Sequence, residues 1–391
     1  MYTFENTGIA FAYKSNSELK RAYWLFKAMS SPQLVKIGGN LAKFTLRNGL
    51  PVAWAIKATI YKHFCGGETI EDSIDTINQL ARYNVQAVLD YSVEGSETEE
   101  GIQAALDETL KLVKFAGTHE NVPFAVFKPT AFCPNKVLHE VDETPDLSPD
   151  QINETAKFKE RVDILCKTAW ENNIPIMIDA EDSYYQDFID ETVNGMMEKY
   201  NNEKTIVYNT YQMYRWDRLN RLEKDFSRAV DKNYYMGAKF VRGAYMERER
   251  ERAREKGYKS PIHENKEATD KDYNAALDFS VQHIDKISIF NGTHNEYSSW
   301  YLTELMKKKG IEKNDKRVYF SQLYGMSDHI SFNLAGAGYN VAKYLPYGPV
   351  KHVFPYLIRR TEENTSVKGQ TSRELMLLET EMKRRENSKK S

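Results

Sequence analysis

The fold of this 391-residue chain is indicated first by the stretch Tyr344-Leu-Pro-Tyr-Gly-Pro-Val-Lys-His-Val-Phe-Pro-Tyr-Leu-Ile-Arg-Arg-Thr-Glu-Glu-Asn364. Its pattern predicts a strand over Asn340 to Tyr344, a Pro/Gly turn at residues 346–349 and a helix that ends near Asn364. A strand followed by a turn and a helix is the unit from which α/β folds are built.

Two arginines, Arg359 and Arg360, stand side by side in this predicted helix, and Glu363 follows three and four residues later. On a helix these spacings place the three side chains on one side. Adjacent guanidinium groups suit a small anionic ligand that accepts bidentate hydrogen bonds. A solvent-exposed helix face with an ordinary surface ion pair explains the same residues, so both interpretations stay open at this point.

Seven more apolar runs precede this stretch, and each is followed by a polar loop and a helical pattern. We interpret all eight runs as strands, at Val85 to Leu89, Phe124 to Phe127, Ile174 to Ile178, Thr205 to Tyr208, Ala238 to Val241, Ile287 to Phe290, Arg317 to Phe320 and Asn340 to Tyr344. Eight strands alternating with helices predict a (β/α)8 barrel of the TIM type. A doubly wound sheet is the alternative, but Gly336-Ala-Gly338 lacks the third glycine of a dinucleotide fingerprint and precedes a strand.

The predicted organisation has three parts: an N-terminal helical arm at 1–80, the barrel at 81–370, and a C-terminal helix and tail at 371–391. We expect a distorted barrel whose last helix lies over the barrel mouth, because only there can Arg359 and Arg360 face Lys128. Within the barrel, the alternating charges that begin at Glu247 predict a solvent-exposed helix with internal ion pairs.

Composition limits the functional classes. The hydrophobic share of 41% and the charged share of 28% are typical of globular proteins. The formal net charge of −2 argues against general nucleic-acid binding. The three cysteines share no metal-ligand spacing, no apolar run reaches the roughly 18 residues of a membrane span, and no cleavable signal peptide is evident. These features predict a cytoplasmic protein without a metal site.

Charge is distributed unevenly along the chain. Between Leu19 and Gly67 there are eight Lys/Arg and no Asp/Glu, so the rest carries 46 basic and 56 acidic residues. Aromatic residues, among them Trp24, Phe44 and Trp54, are interleaved with these cations. Such a mixture is typical of a helix on an anionic membrane surface, here that of the inner membrane. An arm packed on the acidic barrel wall is the alternative.

Polar side chains lie at or just beyond nearly every predicted strand end. In strand order they are Glu94, Lys128, Asp179, Asn209 with Gln212, Lys239 with Arg242-Gly-Ala-Tyr245, Thr293-His294-Asn295, Gln322-Leu-Tyr-Gly325 and Tyr344. The carboxyl ends of the strands form the active site of a (β/α)8 barrel. One such residue is more often part of a local ion pair, but the whole set predicts a polar site in the barrel mouth.

The composition of this site points to cofactor chemistry. It has no metal-ligand cluster, and no serine or cysteine lies beside a base on a nucleophile elbow. It is rich in amides, hydroxyls and cations, which suit a large phosphate-bearing cofactor and a small carboxylate substrate. A Schiff-base aldolase that uses Lys128 as nucleophile is one alternative. A non-catalytic, membrane-attached binding protein is another.

The motifs of the site, taken together, resemble the proline dehydrogenases. The motifs are Phe127-Lys128-Pro-Thr, Ile178-Asp179-Ala-Glu-Asp, Asn209-Thr-Tyr-Gln212, Lys239-Phe-Val-Arg-Gly-Ala-Tyr245, Thr293-His294-Asn295, Tyr344-Leu-Pro-Tyr-Gly and Arg359-Arg360-Thr-Glu-Glu363-Asn. The likeness is to the single-function, eukaryote-like branch. It implies an enzyme with non-covalent FAD that oxidises L-proline to Δ1-pyrroline-5-carboxylate, passes the electrons to a quinone and serves proline catabolism.

The resemblance also implies roles for the residues around the substrate. Arg359, Arg360 and Lys128 would bind the proline carboxylate, Glu363 would hold the arginines, and Glu94 would pair with Arg359 as a gate. The residues expected against the pyrrolidine ring are Tyr344, Tyr245 and Leu323. The bulk of the Tyr344 phenol predicts a preference for proline over hydroxyproline.

For catalysis and cofactor binding the resemblance implies a further set. Asp179 would order the polar end of the site, and Lys239 would contact the isoalloxazine ring, where many bacterial relatives have arginine. Lysine keeps the charge but lacks the two-pronged donor geometry. The remaining expected FAD contacts are Asn209, Gln212, Arg242, Gly243, Ala244, Thr293, His294, Asn295, Thr365 and Ser366.

Overall fold

The computed structural model describes residues 4–31, 33–35, 56–93, 95–142, 146–366 and 370–388, with the backbone alone for 362–366, 370 and 371. The chain divides into two compact units. One comprises Met1–Val93 with Gln322–Ser391, and the other comprises Glu94–Ser321.

The eight predicted strands are all present and pair in parallel. They are β1 Val85–Tyr91, β2 Ala125–Phe127, β3 Ile176–Ile178, β4 Val207–Gln212, β5 Met236–Val241, β6 Ile287–Gly292, β7 Val318–Leu323 and β8 Val341–Tyr347. The sheet order β1-β8-β7-β6-β5-β4-β3-β2 follows the chain in sequence, with β8 beside β1. This is the order of a (β/α)8 barrel, so the barrel prediction is confirmed and the doubly wound sheet is wrong.

Five strands, β1, β4, β6, β7 and β8, are longer at their carboxyl ends than predicted. β4 continues to Gln212, and β8 continues through Pro346 to Tyr347, so the turn contains Gly348 and Pro349 but not Pro346. Pro346 lacks an N–H, yet its carbonyl still accepts a hydrogen bond from the Gly66 N–H at 2.9 Å. Consequently Asn209 and Tyr344 lie within their strands.

The unit Glu94–Ser321 contains strands β2 to β6 and most of β7. Its helices are Glu99–Thr118, Asn135–Val141, Pro149–Glu171, Gln186–Tyr200, Arg218–Asp231, Met246–Lys256, Lys266–Gln282 and Glu296–Lys309. Phe124 is the centre of an aromatic cluster, because its ring contacts those of Tyr208, Phe290 and Tyr319 at centroid distances of 4.9 to 5.4 Å. These rings give the strands a shared apolar core.

The helix Met246–Lys256, predicted to be solvent-exposed, is anchored at one position. Most of its charged residues are exposed, but Glu249 is 1% exposed. Its carboxylate accepts hydrogen bonds from Ser183, which offsets the cost of burial. The prediction is therefore wrong for Glu249.

The second unit combines both ends of the chain. Its described helices are Thr7–Ala10, Asn16–Met29, Lys57–Tyr61 continuing into Lys62–Phe64, Ile70–Ala81, Asp328–Gly336, Val350–Ser366 and Gln370–Asn387. The helix Asn16–Met29 opens with the capping box of Ser15 and Glu18. Its apolar side, including Leu19 and Phe26, belongs to one core with the two C-terminal helices.

The segment between Leu19 and Gly67, which we call the basic arm, is therefore divided between core and surface. Phe26 and Tyr61 are buried, whereas Trp24 is 63% exposed. Phe44 and Trp54 lie outside the described residues. Among the residues that the structure describes, no helix combines the length and the apolar character that a bilayer span requires.

Candidate active site

Asp179 is the centre of the polar site in the unit Glu94–Ser321. It follows β3 directly, and its carboxylate lies 2.6 Å from Lys239 Nζ and 3.5 Å from Lys128 Nζ. Lys128 follows β2, and Lys239 is on β5, so three strands contribute one residue each. The structure thus brings together three residues that the sequence places at separate strand ends. Two cations around one carboxylate give this group a net positive charge.

Glu181 is a site residue that the sequence analysis did not identify as functional. Its buried carboxylate accepts hydrogen bonds from the N–H and hydroxyl of Thr130, at 3.0 and 2.9 Å. Burial raises the pKa of Glu181 to about 7, although the Thr130 hydrogen bonds and the charge of Lys128 act in the opposite direction. Both residues belong to motifs quoted above. Their closeness in sequence to Lys128 and Asp179 is the signal that could have identified them.

Arg242, directly beyond β5, is held on three sides. It donates to Asp270 at 2.8 Å, to the Thr293 hydroxyl at 2.7 Å and to the Ser298 hydroxyl at 3.0 Å. Its guanidinium also stacks on Tyr273, 4.4 Å from the ring centroid. Arg242 is therefore a fixed, partly exposed cation.

The residues around Arg242 have their own local constraints. Asn295 caps the helix Glu296–Lys309 by accepting from the Ser298 N–H at 2.9 Å, and this cap occupies its side-chain oxygen. His294 is partly buried and Ala244 is exposed. Gly243 has φ of 129°, and a Cβ there would lie 2.4 Å from the ring of Tyr214, so a side chain is excluded.

Tyr245 lies immediately before the helix Met246–Lys256. The guanidinium of Arg248 covers its ring at 4.4 Å from the centroid, and Arg248 also forms an ion pair with Asp182. The loops after β3 and β5 are thereby connected near the predicted substrate residue.

Asn209 and Gln212 lie on opposite faces of β4. Asn209 is buried and donates to Asp190 of the helix Gln186–Tyr200 at 2.9 Å. Side chains alternate along a strand, so Gln212 projects from the other face. Its buried amide oxygen has no hydrogen-bond partner among the described residues. This placement favours a structural role for Asn209 over the predicted cofactor contact, and it makes Gln212 the better candidate.

The other unit contains the remaining residues expected to contact the substrate ring and carboxylate. Tyr344 is buried within β8, on the face opposite Lys343, and Leu323 ends β7 with its side chain partly buried. In the helix Val350–Ser366, Arg360 is buried with its guanidinium 5.0 Å from the ring centroid of Tyr356, and Arg359 is partly exposed.

Four of the predicted site side chains lie outside the part of the chain that the structure describes. Glu94 lies outside the described residues, and so do the side chains of Glu363, Thr365 and Ser366. The helix continues to Ser366, two residues beyond the predicted end near Asn364, so the backbone of Thr365 and Ser366 is helical. In the described part of the chain, no three or more His, Cys, Asp or Glu residues are grouped to hold a metal ion.

Comparisons with known proteins agree with this fold. The model of the family "Proline dehydrogenase" matches residues 73–373. The chain is 31% identical to proline dehydrogenase 1, mitochondrial, of Dictyostelium discoideum, over 97% of this chain and 74% of that protein. It is also 31% identical to the hydroxyproline dehydrogenase of Xenopus laevis, over 98% of this chain and 90% of that protein.

A solved structure supports the fold independently. Proline utilization A (PutA) from Bdellovibrio bacteriovorus, inactivated by N-propargylglycine, superposes with a TM-score of 0.73 over 92% of this chain. The sequence identity is 19%, and the chain spans 38% of that longer protein. The fold and the family match together define a (β/α)8 oxidoreductase. The chain belongs to the proline dehydrogenase family, which confirms the resemblance seen in its motifs.

Proposed function

We propose that this protein oxidises L-proline to Δ1-pyrroline-5-carboxylate with FAD and passes the electrons to a quinone in proline catabolism. Membership of the proline dehydrogenase family supports proline as the substrate. The observation that carries the proposal is the bridge from Lys128 through Asp179 to Lys239, which holds two cations around one carboxylate.

The residues present fit a flavin dinucleotide. The buried amide oxygen of Gln212 lacks a hydrogen-bond partner among the described residues, so it can accept from the N–H of a heterocyclic ring. Arg242 and the backbone at Gly243 are suited to phosphate oxygens. The residues proposed to hold FAD are Gln212, Lys239, Arg242, Gly243, Ala244, Thr293, His294, Thr365 and Ser366. When bound, FAD supplies the hydride acceptor.

The chain's own residues orient the substrate. Arg359, Arg360 and Lys128 are proposed to bind the proline carboxylate, and each charge-assisted hydrogen bond contributes about 1.5–3 kcal/mol. The hydride leaves the ring carbon beside nitrogen with help from the nitrogen lone pair, so proline reacts with its amine unprotonated. The protein's contribution is then position and charge rather than a strong base.

Tyr344 is proposed to select proline over hydroxyproline. Its side chain is buried, so its phenol has little room to move aside for a 4-hydroxyl. Both substrates occur among the names of the relatives, which makes this residue a direct test of specificity. Substitution Tyr344→Ser should raise the activity on hydroxyproline relative to proline. An unchanged ratio would assign specificity to another residue.

The decisive experiment is optical. The purified protein should be yellow, and its flavin absorbance should bleach when L-proline is added without oxygen. A quinone should restore the colour. A colourless protein, or a flavin that proline leaves oxidised, would contradict the proposal.

Substrate binding has its own test. Arg360→Met should raise KM for proline by several orders of magnitude while FAD remains bound, because the variant loses the guanidinium but keeps an apolar side chain of similar length. Loss of FAD with no separate effect on KM would show that Arg360 supports the cofactor instead.

We also propose peripheral contact between the basic arm and an anionic membrane. On the helix Asn16–Met29, Trp24 is exposed and Lys27 lies 4.9 Å from its ring centroid, so an aromatic residue and a cation share the surface. Binding to anionic vesicles should weaken as salt rises. Equal binding to neutral vesicles, or no binding, would leave this helix with its packing role alone.

A further inference from the structure

Two buried carboxylates in the unit Glu94–Ser321 bind their partners in the same way. Glu181 accepts from the N–H and the hydroxyl of Thr130, at 3.0 and 2.9 Å. Glu249 accepts from the N–H and the hydroxyl of Ser183, both at 2.6 Å. Each carboxylate therefore uses both oxygens on a single residue of another loop. We refer to these two contacts as the carboxylate belt.

The carboxylate belt connects three loops that carry site residues. Thr130 lies two residues after Lys128 in the turn that follows β2. Glu181 and Ser183 belong to the loop that begins with Asp179. Glu249 lies in the first turn of the helix that follows Tyr245. The contacts therefore run from the Lys128 loop to the Asp179 loop, and from there to the Tyr245 segment.

Burial makes these contacts strong. Glu181 is 7% exposed and Glu249 is 1% exposed. The two Glu249 contacts, both 2.6 Å, have the short lengths typical of hydrogen bonds to an ionised acceptor, and exclusion of water strengthens them further. Burial of a carboxylate without such partners would be costly. The belt is thus a rigid connection, unlike the exposed ion pairs on the rest of the helix.

Two additional contacts reinforce the second half of the belt. Arg248 forms an ion pair with Asp182, and the guanidinium of Arg252 lies 3.8 Å from the ring centroid of Tyr184. Together with Glu249, these arginines make three residues in the first two turns of the charged helix that hold the loop after β3. The alternating charges therefore have a specific partner inside the molecule.

We propose that Glu181 and Glu249 are positioning residues, which fix the distances between the loops of Lys128, Asp179 and Tyr245 and so set the geometry in which substrate binds. This inference rests on the proposed function, because the loop positions matter to turnover only if these three residues form the active site. Neither glutamate touches the substrate in this proposal.

The first test compares three variants of the charged helix and its partner loop. Glu249→Gln and Ser183→Ala should each lower kcat/KM for proline about tenfold, equivalent to about 1.4 kcal/mol of transition-state stabilisation. Ser183→Thr keeps the hydroxyl and should restore most of the activity. Glu251→Gln is the matched control, since Glu251 is an exposed residue of the same helix.

A double-mutant cycle then separates positioning from general destabilisation. If Ser183 and Glu249 act only through each other, the double variant should be no worse than the poorer single variant. Additive losses would mean two unrelated effects and would overturn the inference. So would equal kcat/KM values in Glu249→Gln and the Glu251→Gln control.

Hydrogen exchange gives a readout that does not depend on turnover. In substrate-free protein, the amides of residues 182–186 should exchange about tenfold faster in Glu249→Gln than in Glu251→Gln, because the Ser183 N–H loses its charged acceptor. Unchanged exchange would show that the contact is not a rigid connection. If the wild-type protein did not oxidise proline, the proposed function would fail, whereas the exchange data would still decide whether the belt exists.

Discussion

Two aspartates of this protein, Asp179 and Asp328, each lie between two lysines, and they differ in exposure to water. The Asp179 carboxylate is 2.6 Å from Lys239 and 3.5 Å from Lys128. Its side chain is 14% exposed and that of Lys128 is 22% exposed. A ligand can therefore reach this group, and its surplus positive charge favours an anion.

The group around Asp328 is closed. Lys14 and Lys343 lie 3.2 and 2.9 Å from its carboxylate, and the Tyr13 hydroxyl donates to it at 2.8 Å. The side chains of Asp328 and Lys343 are 4% and 0% exposed. The same set of charges thus joins the helix Asp328–Gly336, β8 and the N-terminal segment into one structure. Residue types alone do not distinguish a ligand site from a structural ion cluster; access to water does.

The largest expected effect follows from breaking the closed group. Asp328→Asn should lower the free energy of unfolding by about 3–5 kcal/mol, because it leaves the buried ammonium of Lys343 without its nearest counter-charge. Urea unfolding measures the change. Asp163→Asn, which breaks the exposed pair with Lys199, should cost about 1 kcal/mol or less. Equal losses of unfolding free energy in Asp328→Asn and Asp163→Asn would show that burial does not set the strength of these ion pairs.

The open group should respond in activity more than in stability. Asp179→Asn should lower kcat/KM for proline about 10- to 100-fold, since the ammonium groups of Lys128 and Lys239 lose the charged acceptor between them. The unfolding free energy should fall by only about 1–2 kcal/mol, because the site is open to water. Steady-state kinetics and urea unfolding test the two parts. A larger loss of stability than in Asp328→Asn would reverse the comparison.

Acid should weaken the closed group. Burial by itself would raise the pKa of Asp328, but the charges of Lys14 and Lys343 and the Tyr13 hydrogen bond hold it well below its usual range. A carboxyl group with a lowered folded-state pKa stabilises the protein above its unfolded pKa of about 3.9, and this contribution is lost as pH falls. The stability difference between wild type and Asp328→Asn should therefore narrow below about pH 4. A stability difference that stays constant as pH falls would contradict the lowered pKa of Asp328.

A pH effect of the opposite sign is expected at Glu181, beside the open group. Its folded-state pKa is raised to about 7, mainly by burial, above an unfolded value of about 4.3. A raised carboxyl pKa contributes stability that is complete below the unfolded pKa and declines as pH rises to 7. Glu181→Gln should remove this decline, measured by urea unfolding between pH 4.5 and 7.5. An unchanged pH slope would show that Glu181 ionises normally.

Much of the fold could be predicted from local patterns. Apolar runs predicted all eight strands, because the alternation of strand and helix patterns depends on neighbours in the chain. The ends of β4 and β8 were missed, since Gln212 and Pro346 do not look like strand residues. Pairing with neighbouring strands decides whether such residues extend a strand, and pairing is not a local property.

The site shows the same division. The sequence by itself determined which charged and amide residues stand near the strand ends, and the family to which the chain belongs. Only the tertiary structure decided that Asp179 lies between Lys128 and Lys239, and that Gln212 rather than Asn209 has an amide oxygen without a partner. It also decided that Glu249, within a run of exposed charges, is buried against Ser183. The reason is physical: burial and hydrogen-bond partners depend on which strand face and which loop approach each other, and residues far apart in the chain set those distances.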